Sequence, residues 1–337
     1  MRNFSSFYLL LLVMGLYSYM QPCQAGESAA IEIAPGVYVW SGAQEEFSPA
    51  NGGHIANIGF IVGDQRVAVI DTGSSYAEGL ALRRMISEVT PLPVGYVILT
   101  HMHPDHVLGA AAFTQDKPVF IGHQQLNEAM ARRQQVYVAR MKQILGSAAE
   151  GTRMVFPSQN VAIGRVFSLD LGNRTLQLRA YPTAHTNNDL TIFDEQTGTL
   201  WLSDLLFVER IPVMDGSLLG WLKLIDNFMQ VECMATGDSE PGRQTVTDED
   251  GSQRMCERVA RVVPGHGPVV TQWKAALADE RHYLETIADG IRKVIKKGGT
   301  IPEAVESVGW GEQNKWLLFQ QYHGRNVTAG FAELEWE

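Results

Sequence analysis

Short apolar runs bounded by turn residues recur along the chain, and stretches with helical spacing alternate with them. That pattern predicts an α/β fold. Residues 31–40, Ile-Glu-Ile-Ala-Pro-Gly-Val-Tyr-Val-Trp, read as two strands around a Pro-Gly turn, and 57–62 with 66–70 as a hairpin over Gly63-Asp64. Between them lies the polar segment 41–54. Residues 76–89 carry Leu80, Leu82, Met85, Ile86 and Val89 at helical spacing, and Pro91 stops that helix. The continuous apolar run 94–99 has the character of a strand buried on both faces in a parallel sheet. A helix is expected from Val107 to Phe113, a strand at 118–121, and an amphipathic helix at 128–145 whose Arg132, Arg133, Arg140 and Lys142 form a solvated face. Residues 161–180 alternate in two runs around Gly172-Asn173, and 190–193 with 199–202 make the next hairpin. Residues 217–229 look helical, 261–263 form a strand, and helices at about 273–296, 301–307 and 313–334 follow. Trp316, Phe319, Tyr322 and Phe331 are assigned to packing.

Composition changes this picture at the ends and in one insert. Arg2 precedes an apolar run over 7–20, shorter than the roughly 20 residues a membrane span needs, and Cys23-Gln24-Ala25 offers small residues for cleavage. Residues 1–25 therefore read as an export signal. They leave a domain at 26–337 with a helical extension from about 272, periplasmic or secreted and without membrane insertion after cleavage. The formal charge of -10 becomes -11 when Arg2 leaves, which disfavours nucleic acid as a partner and points to a small-molecule substrate. Cys233 and Cys256 flank a polar insert at 231–257; in an oxidising compartment they pair, or they remain two thiols.

The chemistry concentrates where the 94–99 strand ends. Thr100-His101-Met102-His103-Pro104-Asp105-His106 brings together three imidazoles and a carboxylate, donors that zinc favours, at the kind of strand terminus where α/β sheets bind ligands. His185, Asp204 and His266 each follow an apolar strand-like segment, so each is expected at a loop. Two further residues are open to more than one reading. His54 is either a flap residue that contacts substrate or a solvated loop histidine, and Arg210 either holds an anionic substrate group or pairs with Glu209 or another acid.

The ordered set 100–106, then Pro182-Thr183-Ala184-His185-Thr186, Leu202-Ser203-Asp204 and Pro264-Gly265-His266-Gly267-Pro268, resembles the metallo-β-lactamase superfamily of hydrolases. The resemblance implies a four-layer αββα sandwich with metals at one edge of the paired sheets. It places His101, His103 and His185 on one metal, Asp105, His106 and His266 on a second, Asp204 between the two, and Asp71 in a supporting role. The reaction class implied is metal-assisted hydrolysis by two Zn²⁺, which bring the pKa of a bound water to roughly 7, with Asp105 orienting that water or passing its proton. An Asp at the bridging position resembles the thioesterase and lactonase branches more than the lactamases, so an ester, thioester or lactone is expected. Residues 205–221 and the ending Tyr322-His323-Gly324-Arg325-Asn326-Val327-Thr328 with Phe331-Ala332-Glu333-Leu334-Glu335 resemble the quinoprotein relay system zinc metallohydrolases, a SoxH-like group, which implies an exported quinoprotein dehydrogenase system as partner. The alternatives are a β-lactamase, a persulfide dioxygenase using one iron, and a non-catalytic metal-binding accessory of a quinoprotein redox system.

Overall fold

The computed structural model describes residues 29–230 and 259–337, with the backbone of two further strands at 244–247 and 253–256. The export segment and the Cys233–Cys256 pairing lie outside the residues whose side chains are described. Strands β1 (Ile31–Ala34), β2 (Val37–Trp40), β3 (Ile58–Val62) and β4 (Val67–Ile70) pair antiparallel in sequence order. Helix α1 (Tyr76–Val89), whose N-cap Ser75 side chain accepts from the Glu78 amide, then crosses over to β5 (Val94–Ile98), parallel to β4. Such crossovers are what parallel pairing requires. After α2 (Pro104–Val107) and a 3-10 helix at Leu108–Asp116, β6 (Val119–His123) adds to β5; after α3 (Leu126–Leu145), β7 (Gln159–Val161) completes a seven-stranded sheet.

The second sheet is an antiparallel meander of β8 (Val166–Asp170), β9 (Thr175–Ala180), β10 (Leu190–Asp194) and β11 (Thr199–Phe207). Helix α4 (Leu218–Gln230) follows, then the paired β12 (Gln244–Thr247) and β13 (Gln253–Cys256), and β14 (Arg261–His266) docks parallel to β11. Helices α5 (Trp273–Lys296), α6 (Ile301–Ser307) and α7 (Phe319–Leu334) close the described chain.

Strand alternation sorts the side chains into three cores. On β5, Val97 faces α1 and α3 in a core with Phe60, Leu82 and Met130, while Ile98 faces the other sheet among Ile70, Ile192 and Trp201. On β11, Trp201 joins that middle core and Leu202 faces α4 and the C-terminal helices with Trp221, Leu284 and Phe331. The layers therefore run helix, sheet, sheet, helix. Strands buried on both faces read as uninterrupted apolar runs for this reason. Truncating Ile98, which is fully buried, to Ala would cost roughly 2–5 kcal/mol.

Four expectations are corrected. The helix anticipated at 107–113 begins at Pro104 and continues as 3-10 rather than α. Val161 ends β7 in the first sheet instead of opening the hairpin of the second. Strand β11 runs on to Phe207, so Asp204 lies inside a strand; register breaks against β14 and a left-handed Ser203 (φ 49°) redirect the chain there. The last helix starts at Phe319, not 313, because Leu318 adopts φ 60°.

Candidate metal centre

The loop after β5 carries His101 and His103, α2 carries His106, the loop after β9 carries His185, and β14 ends on His266. Together with Asp105 and Asp204 they form two adjoining groups able to hold a metal ion: His101, His103, His185 and Asp204, and then Asp105, His106 and His266. In the first, His101 Nε2 and His185 Nε2 each lie 3.0 Å from His103 Nδ1. In the second, Asp105 Oδ2 is 3.4 Å from His266 Nε2 and 3.8 Å from His106 Nε2. Asp204 reaches both: its Oδ2 is 3.3 Å from His185 Nε2 and 3.5 Å from His266 Nε2, and its Oδ1 is 3.1 Å from His106 Nε2.

The outer nitrogens decide whether this donor set fits a cation. His106 Nδ1 lies 2.7 Å from Asp71 Oδ2, His185 Nδ1 2.6 Å from the Val213 carbonyl, His266 Nδ1 2.7 Å from the Ile55 carbonyl, and His103 Nε2 3.2 Å from Asp215 Oδ2. Carbonyls and carboxylates only accept, so these four rings donate outward and, when neutral, turn bare lone pairs inward. Lone pairs 3.0 Å apart repel unless a cation lies among them. Ligands 2.0–2.1 Å from a tetrahedral ion such as zinc stand about 3.3 Å from one another, close to the observed spacing. His106 Nε2 and Asp204 Oδ1, both buried and 3.1 Å apart, have no well-aligned hydrogen-bond partner among the described residues. The residues fit a pair of divalent ions.

Charge states agree at three of the histidines and not at His106. Burial takes the His185 pKa down to about 3, and burial with neighbouring imidazoles holds His101 well below the usual range. His266 is lowered by burial first and by the Arg210 guanidinium second. At His106 burial is outweighed by Asp204, Asp71 and Asp105, so its pKa stands well above 6.5. Burial would raise Asp204, but His106, His266 and His101 hold it well below the carboxylate range, as an ionised acceptor between the two groups.

Local backbone features serve this geometry. Asp71, at φ 55°, accepts from the Thr100 amide and hydroxyl, each at 2.8 Å, as well as from His106. Gly265 is required by close approach: a Cβ there would lie 1.8 Å from Asp204 Oδ1. Asn57 staples the β14 turn by donating its side-chain amide to the Pro264 and Gly267 carbonyls at 2.9 and 2.8 Å.

Two expected contacts are relocated. His54 stacks on Trp40, and its ring nitrogens meet Glu78 at 2.8 Å and the Ser41 carbonyl at 2.9 Å, so it braces the 41–54 segment and is not a freely solvated histidine. Arg210 is 2% exposed and pairs with no acid among the described residues. It lies 3.1 Å from His266 Nδ1, the outer side of that ring, and over the Tyr322 ring, so it stands behind a site histidine and not before it.

Sequence reasoning picked out residues 205–221 by resemblance alone and missed the supporting role of the segment from Ile211 to Ser217. Its Val213 carbonyl orients His185 and its Asp215 orients His103. Helix α7 pins it: Asn326 accepts from the Met214 amide at 3.0 Å and donates to the Pro212 carbonyl at 2.6 Å, and Glu333 accepts from Ser217 Oγ and the Leu218 amide, each at 2.6 Å. The available signal was a polar Asn at a position facing the apolar side of an amphipathic helix.

A four-layer sandwich bearing two adjoining metal-binding groups at one sheet edge defines a class of metalloprotein. The profile of the metallo-beta-lactamase superfamily matches residues 51–266, and the chain belongs to that superfamily. Among solved structures it is similar to a metallo-beta-lactamase from Pontibacter korlensis, at 16% identity and TM-score 0.55 over 76% of this chain and 98% of that one. It is also similar to the stereoselective inverting sec-alkylsulfatase Pisa1 from Pseudomonas sp., at 17% identity and TM-score 0.63 over 91% of this chain and 50% of that one. A third is the metallo-beta-lactamase FIM-1 from Pseudomonas aeruginosa in its mono-zinc form, at 15% identity and TM-score 0.53 over 75% and 94%. No curated protein matches. At these identities the likeness is one of fold.

Proposed function

We propose that the protein is an exported dinuclear zinc hydrolase of the quinoprotein relay system group, acting on an ester, thioester or lactone. The supporting observation is Asp204, one carboxylate within 3.6 Å of His101, His106, His185 and His266 at once. Two ions held by these residues would supply Lewis acidity and a water of pKa roughly 7. The protein's own part is to fix that geometry and to handle one proton. Asp105, in the second group and little exposed, takes the proton of the attacking water and returns it to the leaving oxygen or sulfur as the acyl bond breaks. A negative charge held between the ions lowers their Lewis acidity, which suits an activated ester better than a resonance-stabilised amide. Turnover on matched panels tests the choice: kcat/KM on esters, thioesters and lactones is expected to exceed that on penicillins and carbapenems by orders of magnitude. Efficient lactam hydrolysis with inert esters would reverse it.

A further inference from the structure

Two arginines from different helices converge on the residue that orients His103. Arg133 Nη2, on α3, is 3.9 Å from Asp215 Oδ2, and Arg325 Nη2, on α7, is 3.8 Å from Asp215 Oδ1. Neither distance is a hydrogen bond, and Asp215 already accepts from His103 at 3.2 Å. Among the described residues neither guanidinium makes a hydrogen bond, and their side chains are 48% and 53% exposed. Two cations thus share one committed carboxylate on a chain of net charge -10.

Each arginine has a phenol within one helical turn: Tyr137 after Arg133, and Tyr322 before Arg325. Both phenols are pushed up to about 12, chiefly by burial, and Tyr322 is already hydrogen-bonded to Glu46. They remain hydrogen-bond donors at any ordinary pH. The same two helices therefore present exposed arginine forks beside Asp215, which holds His103, with a half-buried phenol one turn away on each helix.

We propose that Arg133 and Arg325 form a docking site for a carboxylate carried by the substrate, remote from the bond that is cleaved, with Tyr137 as a flanking donor. A planar fork matches a carboxylate in bidentate geometry, and an acidic protein that takes an anionic substrate needs a local cationic entrance. The proposal rests on the hydrolase reading for the word substrate, but its test does not require turnover. Mercaptosuccinate and its uncharged diamide both offer a thiol to metal ions and differ only in carboxylates. Calorimetry on the metal-loaded full chain, with metal content checked in each variant, is expected to show mercaptosuccinate binding about tenfold more tightly than the diamide. Arg133→Gln and Arg325→Gln should each remove most of that preference while diamide affinity stays within about twofold, and Arg133→Lys with Arg325→Lys should retain part of it. No preference in the wild type, a preference that survives the double Gln variant, or an equal loss for the diamide would each overturn the proposal. Preference without turnover on any acyl panel would leave the anion site standing and remove the hydrolase reading instead.

Discussion

The group of His101, His103 and His185 and the group of Asp105, His106 and His266 present similar inner faces, but different parts of the chain hold their outer atoms. His106 and His266 lean on Asp71 and the Ile55 carbonyl, both within the stretch 51–266 that the superfamily shares. His103 and His185 lean on Asp215 and Val213, whose segment is pinned by Asn326 and Glu333 of α7, outside that stretch. One half of the centre is thus supported from within the stretch the superfamily model matches, and the other by a C-terminal helix beyond that stretch. The arginine of α7 at the entrance belongs to the same helix, so support and selectivity are linked there.

The sharpest way to break both halves together is Gly265→Ala. A Cβ 1.8 Å from Asp204 Oδ1 must displace the carboxylate that both groups share. Metal analysis of the purified variant is expected to show loss of both ions; an unchanged metal content would mean that Asp204 is not the common ligand.

Separating the halves takes a matched pair of substitutions. Asp71→Asn and Asp215→Asn each weaken the acceptor for one outer histidine nitrogen, and such losses typically cost 10–100-fold in metal affinity. Competition with a chelator should show the two ions affected unequally, Asp71→Asn acting mainly on the ion at His106 and Asp215→Asn on the ion at His103. Asp71 also holds Thr100, whose hydroxyl lies 3.1 Å from His101 Nδ1, so a smaller effect crosses over. Identical effects on both ions would dissolve the distinction.

The smallest effect is expected beneath the shared half, at Glu280 on α5. Its Oε1 accepts from the Phe207 amide at 2.9 Å, its Oε2 has no partner among the described residues, and burial holds its pKa well above 4.5. A raised carboxyl contributes stability that is complete below the unfolded value and is lost as pH rises through the folded one. Glu280→Gln should therefore match the wild type in Tm near pH 5 and exceed it increasingly toward pH 9. A constant gap across that range would show that the buried carboxyl does not titrate with unfolding.

The strand pattern and ligand motifs were legible because they are local. Val97 and Ile98 face opposite cores, which makes β5 a continuous apolar run, and its end marks the place of His101 and His103. The supports were not legible, because Asp215 and Asn326 act through contacts with residues far away in the chain. The bracing role of His54 was not legible for a related reason: its partner Glu78 sits on α1, 24 residues on. Asp204 was expected in a loop because nothing in the run 199–207 announces the register break that turns it within a strand. Arg133 looked like an ordinary solvated position until the fold brought Asp215 beneath it.

The most direct test of the account is the metal content of protein purified without chelator, measured by elemental analysis against protein concentration for the wild type, His103→Ala and His266→Ala. About two zinc ions per chain are expected in the wild type and about one in each variant, the ion lost differing between them. A single iron per chain, or full retention of metal in either variant, would contradict the two-ion centre.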